Sequence, residues 1–187
     1  MLTRTLTLVI ALIVASTAAA CDKPTAPKEG TSPPQLHAPV ALTLTAPMPK
    51  GKVISPTLVV GGQPTVEHLT EMAKAGLKTV LNLKTSGEMT FDEAAEATRL
   101  GLTYVAMPIA GKRGLNDQNV ARLHEVLEAG TPTLVHCQSG NRVGALFALH
   151  AQRYRGASVE DAMAVGLAHG MTGLKGAVHE LLTVKSE

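Results

Sequence analysis

Short apolar runs alternate with longer amphipathic stretches from about Val53 to the end of the chain. The runs are rich in β-branched residues and end at glycines or polar clusters, a pattern that predicts strands. Four strands are predicted in this way, over residues 57–60, 78–83, 102–109 and 133–136. The last run has no break in its apolar character, so we expect this strand to be central and buried.

The stretches between these runs carry the residues that begin and end helices. Thr65 and Ser158 are expected N-caps, Asn116 or Asp117 caps a third helix, and glycines end several of the predicted segments. The predicted helices cover residues 67–75, 91–100, about 117–129, 142–155, a segment after Ser158 and about 172–184. Strands alternating with helices predict a three-layer α/β domain with a short, mainly parallel sheet of four to five strands.

The first twenty residues have the pattern of an export signal, with Arg4, an apolar run from Leu6 to about Val14, and then small residues. The run is too short for a comfortable membrane span. It ends in Ala-Ala-Ala-Cys at Cys21, which resembles a bacterial lipobox. That resemblance implies that Cys21 is lipidated and becomes the mature N-terminus. Cleavage after Ala20, giving a soluble periplasmic or secreted protein, remains the alternative, as does an uncleaved anchor.

Residues 22–50 contain seven of the eleven prolines and no sustained periodicity. Such composition is typical of an extended tether rather than a folded domain. We therefore predict a signal peptide at 1–20, a lipidated cysteine and tether at 21–50, and a catalytic domain at 51–187. This organisation predicts a protein of the bacterial cell envelope that is anchored to a membrane by its N-terminal lipid.

The composition excludes several classes of partner. The formal net charge is only +2 and no basic run is present, so nucleic acid is not an expected partner. Aromatic residues are few and tryptophan is absent, which leaves no stacking platform for bases. The histidines lack metal-ligand spacing, so neither a metal nor another cofactor is predicted.

The candidate chemistry lies in the segment LVHCQSGNRVG, residues 134–144. Its strand ends at a cysteine, Cys137, and a polar turn with one glycine leads into a helix that starts near Arg142. Backbone N–H groups and the helix dipole at such a turn form an anion site and stabilise a thiolate. We therefore predict Cys137 as nucleophile and Arg142 as a planar clamp for an oxyanion. The amides of the turn are the predicted anion cradle, contributed by Gln138, Ser139, Gly140 and Asn141.

His136 precedes the nucleophile on the strand. Neighbouring strand residues face opposite sides of a sheet, so its side chain is expected to point away from Cys137 and to order the loop by hydrogen bonds. The alternative for the whole segment is that Cys137 is a small buried apolar residue and Arg142 an ordinary surface arginine.

The segment from His136 to Arg142 resembles the signature of cysteine-dependent phosphatases of the dual-specificity type. The closest resemblance is to the bacterial phosphatase-like domain first noted beside beta-lactamase-like hydrolases. That family carries Gly-Gln-Pro, here Gly62-Gln63-Pro64, and a Lys-Thr-Val-Leu-Asn-Leu strand followed by a polar loop ending in Gly-Glu, here Gly87-Glu88. Its loop is Cys-x-Ser-Gly-x-Arg, which Cys137 to Arg142 satisfies. The resemblance implies a protein tyrosine phosphatase-like fold and hydrolysis of a phosphoester through a phosphocysteine intermediate.

The spacing leaves the reaction open, because four residues rather than the five of the dual-specificity signature separate Cys137 from Arg142. The shorter loop resembles that of rhodaneses, which carry a sulfane sulfur on cysteine as a persulfide. The alternatives are therefore a rhodanese-like sulfurtransferase and a non-catalytic module that binds an anion or a partner. The substrate is expected to be a small oxyanion, a phosphoester or a sulfane-sulfur compound.

Phosphoester chemistry also calls for a general acid. Dual-specificity phosphatases carry an aspartate on the loop after the third predicted strand, where Asp117 is the only candidate here. Asp117 could instead cap the following helix. Glu88 could contribute to the pocket from the polar loop, but it is interpreted as a surface carboxylate, and Gln63 is interpreted in the same way. Lys112 and Arg113 either add positive charge to the rim or are simply solvated.

Overall fold

The sheet is built from five short strands in a computed structural model that describes residues 48–184. The predicted signal peptide, Cys21 and most of the predicted tether lie outside these residues. The strands are β1 (Lys52–Ser55), β2 (Leu58–Gly61), β3 (Thr79–Asn82), β4 (Thr103–Ala106) and β5 (Thr133–His136). Their order is β1-β2-β5-β3-β4, with β1 antiparallel to β2 and all other pairs parallel. The α/β fold with a mainly parallel sheet is confirmed, and β5 is central as predicted.

Strand β1 was not predicted from the sequence. Its first three residues are exposed, and it lies at the edge of the sheet and pairs only with β2. An edge strand without a buried face carries no clear alternation of apolar and polar residues, so pattern analysis does not detect it.

The described residues contain six α-helices, which follow the predicted order. They are α1 (Val66–Lys74), α2 (Glu93–Arg99), α3 (Asp117–Glu128), α4 (Asn141–Arg155), α5 (Val159–Ala168) and α6 (Lys175–Thr183). Thr65, Asn116 and Ser158 cap α1, α3 and α5 through their side-chain oxygens. Helix α6 begins later than predicted, and in the segment before it the backbone N–H groups of Thr172 and Leu174 donate to the side-chain oxygen of Asn141.

The two faces of the sheet bury separate apolar clusters. Successive residues of β5 show the alternation, since Leu134 packs toward α1 and α2 and Val135 packs toward α3 and α4. The second cluster is the larger and includes residues of α5 and α6 as well. The result is the predicted three-layer arrangement of helices, sheet and helices. None of the described helices is long and apolar enough to cross a membrane.

The register of the sheet decides where the candidate site lies. Gly61 of β2 and Asn82 of β3 both pair with His136 of β5. The segments that follow these three strands therefore leave the sheet at the same edge, with Cys137 in the middle.

Candidate active site

Cys137 and Gly140 form the turn between β5 and α4. Gly140 has φ +82°, a left-handed conformation that side chains disfavour, and it is the N-cap residue of α4. This conformation lets the Gly140 N–H donate to the Cys137 Sγ at 3.1 Å. Cys137 itself is 1% exposed. The turn that the sequence predicted at Gly140 is present, and it aims a backbone donor at the sulfur.

The Gly-Gln-Pro segment supports this turn from the side of β2. Gly62 pairs with Ser139 in an antiparallel bridge, and the Gln63 N–H donates to the Gln138 carbonyl at 3.3 Å. A Cβ atom at Gly62 would come within 2.9 Å of the Gln138 and Pro49 carbonyl oxygens. Only glycine permits so close an approach, which gives a physical reason for that part of the motif.

Arg142 lies in the first turn of α4, and Glu88 holds its guanidinium group. The Glu88 carboxylate accepts from Nη1 at 2.8 Å and from Nη2 at 2.6 Å, and Nη1 also contacts the Leu83 and Ile109 carbonyl oxygens. This bidentate contact is the strong form of an arginine–carboxylate pair. The hydrogen bond from Arg142 is the main reason that the pKa of Glu88 falls from 4.5 to about 2. The same contact raises the pKa of Arg142.

Glu88 was therefore misjudged as a surface carboxylate. Its side chain is 33% exposed, and the Thr85 N–H and hydroxyl donate to the same carboxylate at 2.9 and 2.8 Å. The only signal in the sequence was its place in the polar loop after a strand. That signal does not show which residue a carboxylate will meet.

An open pocket of about 480 Å³ lies beside Arg142. Its lining residues are Thr85, Glu88, Ile109, Ala110, Gly111, Asn141, Arg142 and Leu174. The Asn141 side chain also joins the loop to the segment before α6 through its contact with the Thr172 N–H at 2.8 Å. Arg142 and Glu88 are the charged residues of this lining, and the other lining residues are neutral.

His136 lies below the loop and is completely buried, as is Glu93 of α2. Its Nε2 is 2.7 Å from Glu93 Oε1, an ion-pair distance, although the two atoms are not aligned as a hydrogen bond. Its Nδ1 is 3.4 Å from the Cys137 carbonyl oxygen. The predicted loop-ordering role remains a prediction, with Glu93 as the residue through which His136 would act.

Glu93 connects several segments around the loop, and the sequence analysis missed it. Its Oε2 accepts from the Asn82 amide at 2.9 Å and from the Gln63 amide at 3.3 Å. The Tyr104 hydroxyl joins the network through Asn82, and burial raises the pKa of this tyrosine. In the sequence Glu93 has the position of an ordinary acidic residue in the first turn of a helix, so nothing marked it as buried.

Asp117 is not brought to the loop. Its side chain is 78% exposed and forms an ion pair with Arg153 at 2.8 Å. Arg153 lies eleven residues after Arg142 on α4, about 16 Å along the helix axis. Asn116, not Asp117, caps α3. The role of Asp117 as general acid therefore remains a prediction, and the position of its side chain does not favour that role.

The predicted rim cations are both exposed, and Lys112 forms an ion pair with Glu180. Within residues 48–184, no three His, Cys, Asp or Glu side chains lie together in a way that could hold a metal ion.

Sequence comparisons relate the chain to a family of phosphatases. A family model described as DSP-PTPase phosphatase fused to NAD+ kinase matches residues 40–181. A beta-lactamase hydrolase-like protein of Xylella fastidiosa is 30% identical over 122 residues. That match covers 63% of this chain but only 28% of the Xylella protein, so the chain corresponds to about a quarter of its relative.

Solved structures show the same fold. TpbA of P. aeruginosa is 19% identical with a TM-score of 0.61, covering 80% of this chain and 92% of TpbA. The catalytic core of the PP-IP phosphatase SIW14 of S. cerevisiae is 16% identical with a TM-score of 0.60, covering 75% of this chain and 88% of that core. The resemblance stated from the motifs is thus confirmed. The chain belongs to the family of DSP-PTPase phosphatases fused to NAD+ kinase, and its fold is that of the protein tyrosine phosphatases.

Proposed function

We propose that this protein hydrolyses phosphoesters with Cys137 as nucleophile and Arg142 as the clamp for the phosphoryl oxygens. One observation carries the proposal. A single turn presents the Gly140 N–H to the Cys137 sulfur at 3.1 Å and begins the helix on which Glu88 fixes the Arg142 guanidinium group. A thiolate and an oxyanion both need donors of this kind.

The proposed reaction has two steps. The Cys137 thiolate attacks phosphorus, so that a sulfur–phosphorus bond forms, the ester oxygen–phosphorus bond breaks, and the leaving oxygen takes up a proton from solvent water. Water then attacks the phosphocysteine, the sulfur–phosphorus bond breaks, and phosphate and the thiolate are released. The amides of Gln138, Ser139, Gly140 and Asn141 surround the phosphoryl oxygens together with Arg142. They stabilise the charge that develops in each transition state.

The experiment compares turnover of para-nitrophenyl phosphate by the full-length protein and its Cys137→Ser variant. We expect the variant to lose turnover and to keep binding vanadate, because the cradle and Arg142 remain. Cys21→Ser is the matched control and should keep full turnover. Hydrolysis that survives Cys137→Ser would contradict the proposal.

Rhodanese-like sulfur transfer is the second candidate, and the spacing of four residues between Cys137 and Arg142 favours it. In that reaction the thiolate attacks the sulfane sulfur of thiosulfate, sulfite leaves, and the persulfide passes its sulfur to cyanide or a thiol. Intact mass spectrometry after incubation with thiosulfate distinguishes the two. One added sulfur that requires Cys137 and is removed by thiol would favour sulfur transfer. A non-catalytic binding module would show neither activity, and Cys137→Ser would leave its affinity unchanged.

We also propose that the protein is exported and held at a membrane by lipid on Cys21. The lipobox-like Ala-Ala-Ala-Cys and the proline-rich segment after it support this localisation. A tether of that composition would hold the phosphatase domain away from the membrane surface.

A further inference from the structure

Lys84 is a buried lysine that the proposed reaction does not use. It follows β3 and is 4% exposed, although lysine is almost never buried without a partner. Its backbone N–H donates to Asn82 Oδ1 at 2.7 Å, and its ammonium group donates to Gln63 Oε1. An ammonium group has three donors, and the amide oxygen of Gln63 is a neutral acceptor, so this hydrogen bond by itself does not neutralise the charge.

The contact between Lys84 and Gln63 crosses the end of the central strand. Strand β5 lies between β2 and β3. Gln63 lies two residues after the end of β2, and Lys84 lies two residues after the end of β3. Cys137 directly follows the last residue of β5. The side chain of Lys84 therefore reaches across the edge of the sheet from which the Cys137 loop departs.

Four charged or ionisable groups act on Lys84, namely Glu88, Glu93, Cys137 and Arg142. The two carboxylates among them already have other hydrogen-bond partners. Glu88 holds Arg142 with both oxygens, and Glu93 of α2 contacts Asn82, Gln63 and His136. Within the described residues, neither carboxylate accepts a hydrogen bond from Lys84. Burial lowers the pKa of Lys84, Arg142 lowers it further, and the negative charges of Glu93, Glu88 and Cys137 oppose these effects. A thiolate on Cys137 and the Lys84 ammonium group would thus stabilise each other.

We propose that Lys84 is a positioning residue of this site and favours the thiolate form of Cys137. Gln63 fixes the Lys84 ammonium group across the end of β5, where it is a second cation in addition to Arg142. The inference rests on the proposed function, in which that thiolate is the nucleophile. Lys84 acts through Cys137 and through the field at the loop, and it does not touch the substrate.

The test follows the ultraviolet absorbance of the thiolate against pH in the full-length protein, with Cys137→Ser as the blank. This measurement does not require a reagent to reach the buried sulfur. We expect Lys84→Met to raise the pH at which half of the thiolate has formed by about one unit, since the buried positive charge at the end of β5 is removed. Lys84→Arg should retain the wild-type midpoint more closely.

Lys78→Met is the matched control, because Lys78 is exposed near the opposite end of β3 and its loss changes the net charge equally. It should leave the midpoint unchanged. If the folded Lys84→Met variant has the same midpoint as Lys78→Met, the inferred role of Lys84 is overturned and the proposed function is unaffected. Turnover of para-nitrophenyl phosphate that survives Cys137→Ser would instead overturn the proposed function, whatever the midpoints of the lysine variants.

Circular dichroism establishes whether each variant is folded. If Lys84→Met does not fold, Gln63→Met serves in its place, because it removes the acceptor that holds the ammonium group across β5. We expect this variant to raise the midpoint by less than a full unit. An unchanged midpoint in a folded Gln63→Met variant would also overturn the inference.

Discussion

Glu88 and Arg142 hold each other in place, and the strength of that contact depends on pH. The folded-state pKa of Glu88 is about 2, below its ordinary value of 4.5. A carboxyl group with a lowered pKa in the fold stabilises the folded state above its unfolded-state value and loses that contribution as the pH falls through the folded-state value. The contact should therefore weaken between about pH 4.5 and pH 2.

We expect Glu88→Gln to lower the free energy of unfolding at neutral pH and to lose this deficit progressively below about pH 4.5. Urea unfolding of both proteins across this range measures the difference. Glu71→Gln is the control, since the Glu71 carboxylate pairs with the exposed Lys74 on α1 and such surface pairs contribute little. A deficit that stays constant down to about pH 2 would show that Glu88 does not act through its charge.

Asp117 offers a second test at this scale. Because its carboxylate pairs with Arg153 far along α4, we expect Asp117→Asn to change kcat on both aryl and alkyl phosphates by less than a few-fold. A general acid that protonates the leaving oxygen contributes about 10²–10⁴-fold, mainly for alkyl esters, which leave poorly without a proton. Steady-state kinetics on one aryl phosphate and one alkyl phosphate measures whether Asp117 acts as the general acid. A loss of that size confined to the alkyl ester would restore Asp117 as the acid.

The packing of α4 against α5 is the main helix contact behind the site. Gly144 of α4 lies where a Cβ atom would overlap the backbone N of Met171 and the carbonyl oxygen of Gly166, and it would come within 2.8 Å of the Met171 Cα. Gly166 is the corresponding small residue on α5. These two glycines allow the helix that carries Arg142 to approach the segment after α5 backbone to backbone.

We expect Gly144→Ala to destabilise the protein by about 1–3 kcal/mol, because backbone atoms must shift to admit the methyl group. Helix propensity alone would give the opposite sign. Gly176→Ala in α6 is the control, since a Cβ atom there meets nothing within 4 Å. It should stabilise the protein by about 0.5–1 kcal/mol. Thermal and urea unfolding of the two variants measure both changes in stability. If both variants were stabilised, the packing argument would be refuted.

At the scale of the whole molecule, the N-terminal segment is predicted to set the cellular location of the domain. The described residues 48–184 form the α/β domain, and the segment before them carries the predicted export and anchoring signals. Lipidation adds about 0.8 kcal/mol of membrane affinity for each buried methylene group, so the acyl chains would dominate the localisation.

We therefore expect the full-length protein to be recovered with bacterial membranes and Cys21→Ser to move to the soluble fraction. Cys137→Ser, which removes the other cysteine, should remain with the membranes. Fractionation followed by immunoblotting measures both. An unchanged distribution of the Cys21→Ser variant would contradict lipid anchoring.

The fold could be predicted well because its elements are marked locally. Thr65 and Ser158 cap helices, Gly140 forms the turn before α4, and the β5 run is apolar because it is buried on both faces. Strand β1 escaped prediction for the complementary reason, since its exposed edge position left no pattern.

The sequence by itself determined the described elements other than β1, the α/β class, and the loop that joins Cys137 to Arg142, because each depends on neighbours within a few residues. Only the tertiary structure decided the partners of that loop. Glu88, Glu93, Lys84 and Gln63 come from other segments and meet at the loop because parallel strands end at one edge of the sheet. Ordinary polar residues carry no mark of such long-range contacts, since their surroundings are set by the register of strands far apart in the chain.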